Sequence, residues 1–90
     1  MELSELRARI DRVDDRILEL FLERMELSES VAACKKESGL PVRNEQRERE
    51  ILERVARQAG DRGEYARRLF SLLFQLSRAR QAELLSAGEE

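Results

Sequence analysis

Arg24 falls where the sequence pattern asks for an apolar residue. From Leu3 to Cys34 the apolar positions step by three and four: Leu3, Leu6, Ile10, Val13, Ile17, Leu20, then Arg24, Leu27, Val31 and Cys34. That rhythm is the a/d seam of a helix that packs along its whole length. An unpaired guanidinium on such a seam costs several kcal/mol to bury. The pattern leaves two readings open: an internal salt bridge or a snorkelling side chain, or a binding site for an anion. Lys35, eleven residues later, sits about 20° from Arg24 on the helical wheel and about 16 Å further along. Both cations therefore lie on one face and could flank one small molecule, although Lys35 taken alone reads as a solvated lysine. Arg7, seventeen residues before Arg24, is about 25 Å away and about 100° around the helix. Spacing alone makes it a surface arginine, and any site it served would be completed by another chain.

A second group of charges lies in "GLPVRNEQRERE", Gly39–Glu50. Glu48 precedes Ile51, Leu52 and Val55 by three, four and seven residues, which puts it on the buried face of a helix. Arg47 is its neighbour and precedes Ile51 by four. Glu45, Arg49, Glu50 and Glu53 read as solvated partners of one another. Further on, Phe70, Leu73, Ser77, Gln81 and Leu84 form one stripe that two hydrogen-bonding residues interrupt. An isolated Ser or Gln at such a place is commonly a satisfied core group. Arg24, Lys35, Arg47, Glu48, Ser77 and Gln81 together, drawn from three helices, point instead to one polar cavity rich in cationic donors.

The chemistry open to that cavity is narrow. The chain has no His and a single Cys, Cys34, which excludes a Cys–His pair and any zinc site built on imidazole. It has no Gly-rich phosphate loop, metal-ligand cluster or nucleophile–base pair. What remains is Arg forks suited to carboxylates, a Lys and a Gln as donors, and one Glu. Such a site suits a small di-anion whose reaction needs conformational restraint and charge stabilisation without a covalent intermediate.

The elements that must hold these residues follow from composition and punctuation. Ninety residues make one domain, 1–90, with 40% charged and 41% hydrophobic residues, four Gly and one Pro: the composition of long helices. A net charge of -2 does not indicate a nucleic-acid or anionic-membrane surface. No stretch approaches the ~20 apolar residues of a membrane span, and "MELSELRARI" lacks the apolar core of a signal peptide, so the default compartment is the cytosol. Ser4 can cap the first helix, and "SGLP" ends it with Gly39 at a left-handed position and Pro41 as a stop. At about 34 residues this helix spans about 51 Å, whereas a compact chain of this size has a radius of gyration of about 12 Å. Another chain is expected to cover it. A second helix starts at Asn44 as N-cap and turns Ile51, Leu52, Val55 and Ala59 inward. "GDRG" breaks it, and a third runs from about Glu64 to Ser86 with Tyr65, Leu69, Leu72, Leu73, Leu76 and Leu84 as its apolar stripe. Tyr65, Phe70 and Phe74 read as core, Cys34 as a small buried residue with no redox role, and "SAGEE" as a fraying end. The reading is all-α: three helices, the first far longer than the others.

The segments "LRARIDRVDDRILELFLERMELSESVAACKK", "GLPVRNEQRERE" and "YARRLFSLLFQLSRARQ" together resemble the all-helical, AroQ-class chorismate mutases, over nearly the whole chain from about Leu3 to Leu85. The resemblance implies an intertwined helical homodimer sharing its long first helices. It also implies conversion of chorismate to prephenate, a Claisen rearrangement toward phenylalanine and tyrosine, with neither cofactor nor metal. By motif position, Arg24 and the partner chain's Arg7 would clamp the two carboxylates as bidentate pairs. Lys35 and Gln81 would donate to the ether oxygen. Glu48 would hold the ring hydroxyl, Ser77 would support the carboxylate contacts, Arg47 would position Glu48 and the substrate, and Val31 would form part of the apolar wall.

One departure is Asn44, where the best-known members carry an acidic residue. Arg78 and Arg80 bring charge into a turn that is often more apolar, and read as pointing outward. The same fold can host isochorismate-pyruvate lyase or aminodeoxychorismate mutase activity. A non-catalytic helical dimerisation or regulatory module is a further alternative, but it predicts decay of the pocket residues, and the main ones are all present. Many relatives of this kind form the N-terminal segment of a larger enzyme, such as one joined to prephenate dehydratase, and "SAGEE" would suit a linker.

Overall fold

A computed structural model describes residues 1–41 and 43–87. Helix α1 spans Leu3–Ser38, α2 spans Glu45–Ala59 and α3 spans Gly63–Ala87, with a single 3-10 turn at Gly60–Arg62 between the last two. There is no strand among the described residues, so the chain is all-α as expected. The three-helix expectation needs one correction. "GDRG" does not break the chain into coil: no coil residue separates α2, the 3-10 turn and α3, and Gly60 alone leaves helical backbone geometry. The helical residues thus fall into two runs along the chain, and the second run folds back on itself at Gly60.

Helix α1 begins two residues earlier than Ser4 could cap. Glu2 holds the extended N-cap conformation without a side-chain cap, and its carbonyl already accepts from the Leu6 amide at 3.1 Å. Ser4 is thus inside the first turn, where Glu5 complements the positive end of the helix dipole. The other end follows the expectation. Gly39 takes φ 70°, and the Leu40 and Gly39 amides donate to the carbonyls of Lys35 (2.9 Å) and Lys36 (3.3 Å), a glycine-terminated stop. Thirty-six residues at about 1.5 Å each give about 54 Å, and the longest dimension of the chain is 54 Å, against 28 and 14 Å across. The radius of gyration is 16.4 Å, well above the roughly 12 Å of a compact chain this long.

Asn44 caps α2 as expected, its Oδ1 accepting from the Arg47 amide at 3.0 Å. Gly60 (φ 60°, ψ -121°) makes the reversal, in a region open essentially to glycine alone. Gly63 then lets α3 start hard against α2, since a Cβ there would lie 2.8 Å from the Ala56 carbonyl oxygen. The core between these two helices is small: Ile51, Val55 and Phe74 are buried, with Leu52, Ala66 and Phe70 packed on them. Burying each such side chain stabilises the hairpin by about 1.5–3 kcal/mol. Helix α1 joins through its C-terminal half. Ala32 is buried, and the side chains of Arg24 and Glu29 and the Ser28 carbonyl meet Ser77, Arg80 and Gln81 of α3 respectively.

Several residues expected inside are not covered by their own chain. Tyr65 is 70% exposed, and Leu69, Leu72, Leu76 and Leu84 are exposed with it. The α3 stripe that packs inward instead runs through Ala66, Phe70, Phe74, Ser77 and Gln81. Cys34 is exposed rather than buried. The α1 seam Leu3, Leu6, Ile10, Val13, Ile17 and Leu20 lies open, each residue 42–61% exposed. The cause is geometric. One layer of three helices can cover one face of each, and these sequences carry two apolar faces on α1 and α3. Ser86 and Ala87 continue α3 instead of fraying, and the rest of "SAGEE" lies outside the described residues. Among the described residues no helix is long and apolar enough to cross a membrane.

The close approach at Gly63 is open to test. Gly63→Val places side-chain carbons where the Ala56 backbone already lies, and overpacking of this kind costs about 1–3 kcal/mol. At about 4–8 °C per kcal/mol for a domain this size, the variant should melt visibly earlier by circular dichroism. An unchanged melting temperature would contradict the contact.

Candidate functional site

A cavity of about 400 Å³ opens between the C-terminal half of α1, the first turns of α2 and the C-terminal half of α3. Helix α1 contributes Arg24, Leu27, Ser28, Val31 and Lys35, which the steps of three and four bring to one face. The start of α2 contributes Asn44, Arg47, Glu48 and Ile51, and α3 contributes Phe74, Ser77, Arg78 and Gln81. Eight of the nine residues singled out from the sequence are in this lining. The ninth, Arg7, is on the exposed N-terminal part of α1, more than four turns from Arg24.

Arg24 shows why the interruption of the seam is tolerated. Its Nη1 donates to Ser77 Oγ at 3.2 Å, and its guanidinium carbon lies 5.5 Å from the centroid of the Phe74 ring, within cation–π range. Among the described residues no carboxylate pairs with it. Burial first, and the nearby Arg47 guanidinium second, push the Arg24 pKa down from its ordinary value. A guanidinium nevertheless stays charged in a protein. A partly desolvated cation beside a second cation, held by a neutral hydroxyl and a ring face, is a place for an anion. The internal salt bridge, one of the readings left open by the sequence, is not formed among the described residues, where Ser77 is the hydrogen-bond partner of Arg24.

Two buried polar groups fix the α3 side. Ser77 and Gln81 are 7% and 6% exposed. Gln81 Nε2 donates to the Ser28 carbonyl at 2.7 Å, tying α3 to α1 and setting the amide plane while its second N–H remains for a ligand. Lys35, in the last turn of α1, enters the lining from the far end. Asn44 uses its Oδ1 for the cap, which holds its side chain at the start of α2 beside Arg47.

Glu48 corrects two expectations. Its Oε2 accepts from Arg78 Nη1 at 2.5 Å, and its Oε1 is 3.7 Å from Arg43 Nε. Arg78 therefore points into the cavity, and it is Arg78 and Arg43 that pair with Glu48, in the place expected for Arg47. Arg80 does point outward, to Glu29 at 2.7 Å and Glu83 at 3.2 Å. The sequence signal for Arg78 was present: it follows Phe74 by four residues and precedes Gln81 by three, so it shares their side of α3. Leu27, Ser28 and Phe74 were likewise not singled out as lining residues. Four cations (Arg24, Lys35, Arg47, Arg78) and one carboxylate line the cavity, on a chain whose net charge is -2. The cavity inverts the sign of the whole molecule and concentrates small anions.

A sequence profile of the family described as chorismate mutase type II matches residues 6–82. The chain belongs to this family. It is 30% identical over 87 residues to a chorismate mutase of Methanocaldococcus jannaschii, covering 93% of this chain and 88% of that protein. It is 45% identical over 56 residues to a bifunctional chorismate mutase/prephenate dehydratase of Aquifex aeolicus, covering 62% of this chain and 16% of that protein. With the bifunctional chorismate mutase/prephenate dehydratase of Escherichia coli the identity is 37% over 86 residues, 92% of this chain and 22% of that protein. The chain thus spans less than a quarter of either bifunctional relative and most of the Methanocaldococcus one.

For a chorismate mutase family member, Arg24 should be a residue kept for its ligand at the expense of stability. Arg24→Leu removes a desolvated charge from beside Arg47, together with its contact to the Phe74 ring, and puts an apolar residue on the seam. Its melting temperature should be no lower than that of the wild type, because replacing a buried charge by an apolar group is often neutral or stabilising. The rise in melting temperature that a dicarboxylate ligand gives the wild type should be lost. A ligand-free variant destabilised by more than about 1 kcal/mol, the scale of an ordinary net hydrogen bond, would make Arg24 a structural residue instead.

Proposed function

We propose that the chain rearranges chorismate to prephenate, in the cytosol and without a cofactor, as a homodimer in which Arg7 of each chain completes the cavity of the other. The observation that carries this is the convergence of Arg24, Lys35, Arg47, Glu48, Ser77 and Gln81 on one cation-rich cavity in a member of the family. The reaction breaks the ether carbon–oxygen bond as a carbon–carbon bond forms, so atoms are conserved and no proton need move. Its barrier is lowered by holding the enolpyruvyl arm folded over the ring and by stabilising negative charge at the ether oxygen. Arg24, supported by Ser77, and the partner's Arg7 bind the carboxylates. Lys35 and the second N–H of Gln81 donate to the ether oxygen, Glu48 accepts from the ring hydroxyl, and Val31 limits the space open to the ring. The absence of a His base is no obstacle to this chemistry.

The uncovered α1 seam supports the dimer. Six apolar residues over the first half of a 54 Å molecule are 42–61% exposed, a contiguous surface of the kind that marks an association site. Laid along a second copy, the same length would bring Arg7 to a cavity that its own chain cannot let it reach.

Purified protein mixed with chorismate should consume it and yield prephenate without pyruvate. Lys35→Ala should lower kcat by about 100-fold or more, the scale for losing a donor to a developing oxyanion, with helicity intact. Release of pyruvate would assign the lyase reaction, and full activity of the folded variant would remove Lys35 from the ether oxygen. The shared site has its own test. Arg7→Ala and Arg24→Ala should each be inactive. After subunit exchange, half the dimers are mixed and one site of each mixed dimer is intact, so about a quarter of wild-type activity should return, as two-fold symmetry requires. No recovery after confirmed exchange would exclude a site built from two chains.

A further inference from the structure

We propose that Arg78 is a positioning residue that selects for the ring hydroxyl of the substrate by holding Glu48 in a single orientation. The inference rests on the mutase reading above and goes beyond it. Glu48 is anchored on α2 and Arg78 on α3, thirty residues apart, and the bond between them closes one wall of the cavity. Their side chains are only 19% and 28% exposed, so the pair is partly withdrawn from solvent, where a charge-assisted bond is stronger and better fixed than at the surface. The geometry also divides the carboxylate. Oε2 is taken by Arg78 at 2.5 Å, whereas Oε1 lies 3.7 Å from Arg43, close enough for attraction and too far for a hydrogen bond. Oε1 is therefore the oxygen left to accept from a ligand hydroxyl. Without Arg78 the carboxylate could swing toward Arg43, which is more than half exposed.

A site built to hydrogen-bond a substrate hydroxyl discriminates strongly against an analogue that lacks it, because its own polar group is then left unpaired. Discrimination of this kind depends on the acceptor staying in place. Arg78 thus acts through Glu48 and differs from Arg24 and the partner's Arg7, which bind the carboxylates of the ligand. Asn44 adds to the demand on Arg78. The start of α2 offers an amide beside Glu48, so Glu48 is the sole carboxylate lining the cavity among the described residues.

The test compares wild type, Arg78→Met, Arg78→Lys, Glu48→Gln and the Arg78→Met/Glu48→Gln double variant, each checked for helicity, with chorismate and with chorismate lacking the ring hydroxyl. Arg78→Met should lose about 10- to 100-fold in kcat/KM on chorismate, the range for a hydrogen bond to a charged group. It should lose little on the deoxy analogue, so the preference for the hydroxyl falls. Arg78→Lys should restore part of that preference. The double variant should be no worse than the poorer single variant, since both substitutions disable one acceptor. Multiplying losses, or equal losses on both substrates, would mean that Arg78 binds an anionic group directly or only supports the fold, and would overturn the proposal. No turnover of chorismate by the wild type would instead overturn the mutase reading and this inference with it. An active wild type with an indifferent Arg78 would remove this inference alone.

Discussion

A guanidinium partly withdrawn from water on the apolar side of a helix, with a second guanidinium near it, is an arrangement that a chain does not adopt for stability. Arg24 is held by Ser77 and the ring of Phe74, and its shifted pKa records the cost of burial and of Arg47. Much of the rest can be read as the means of keeping that charge in place. The seam of α1 delivers it at a fixed depth. The Gln81 bond to the Ser28 carbonyl locks α3 against the same turn of α1. The short core of Ile51, Val55 and Phe74 fixes α2 to α3, so that Arg47 and Glu48 arrive from the third side. A site that stabilises an anionic transition state must hold its donors before the charge appears. The preorganisation therefore costs stability in the resting protein, and a small domain has little to spare.

The length of α1 follows from the same constraint. A helix of roughly five turns would suffice to carry residues from Arg24 to Lys35 with their anchors, yet α1 has 36 residues, and its first half makes no core of its own. Under the proposed homodimer that half does two things at once: it covers the apolar faces that a single layer of helices leaves open, and it carries Arg7 to the other cavity. Fold and catalysis then share one interface, and loss of association would remove both.

Much of this was legible in the sequence because helices announce themselves by period. The three helical segments, the Asn44 cap, the left-handed Gly39 and the inward positions of Ile51 and Val55 follow from local rules that need only a few neighbouring residues. Six cavity residues were legible for a related reason, since a polar residue at an apolar position stands out against the period, whereas Val31 and Asn44 entered only through the family resemblance. The failures have physical causes too. Ser4 is a good cap by type, but the helix ladder had already started at Glu2, and residue type does not decide where nucleation occurs. Tyr65, Leu69 and Leu72 fit an apolar stripe, but periodicity reports that a face is apolar and not which chain covers it. Cys34 was misplaced for the same reason.

Arg78 is the most instructive miss, because it was misread by being compared with other sequences rather than with its own neighbours. Read from the family resemblance alone, an arginine at that turn counts as surface decoration. Set on its own helix, between Phe74 and Gln81, it shares the inner side and has one carboxylate within reach. The two departures in this region are coupled electrostatically. With an amide at Asn44, Glu48 is the single carboxylate lining the cavity among the described residues, and Arg78 and Arg43 both converge on it. One carboxylate gripped by two cations has less freedom than two carboxylates sharing a patch of positive charge. Orientation of the acceptor can therefore replace abundance of acceptors, and a cavity with a larger cationic excess can still recognise a neutral hydroxyl.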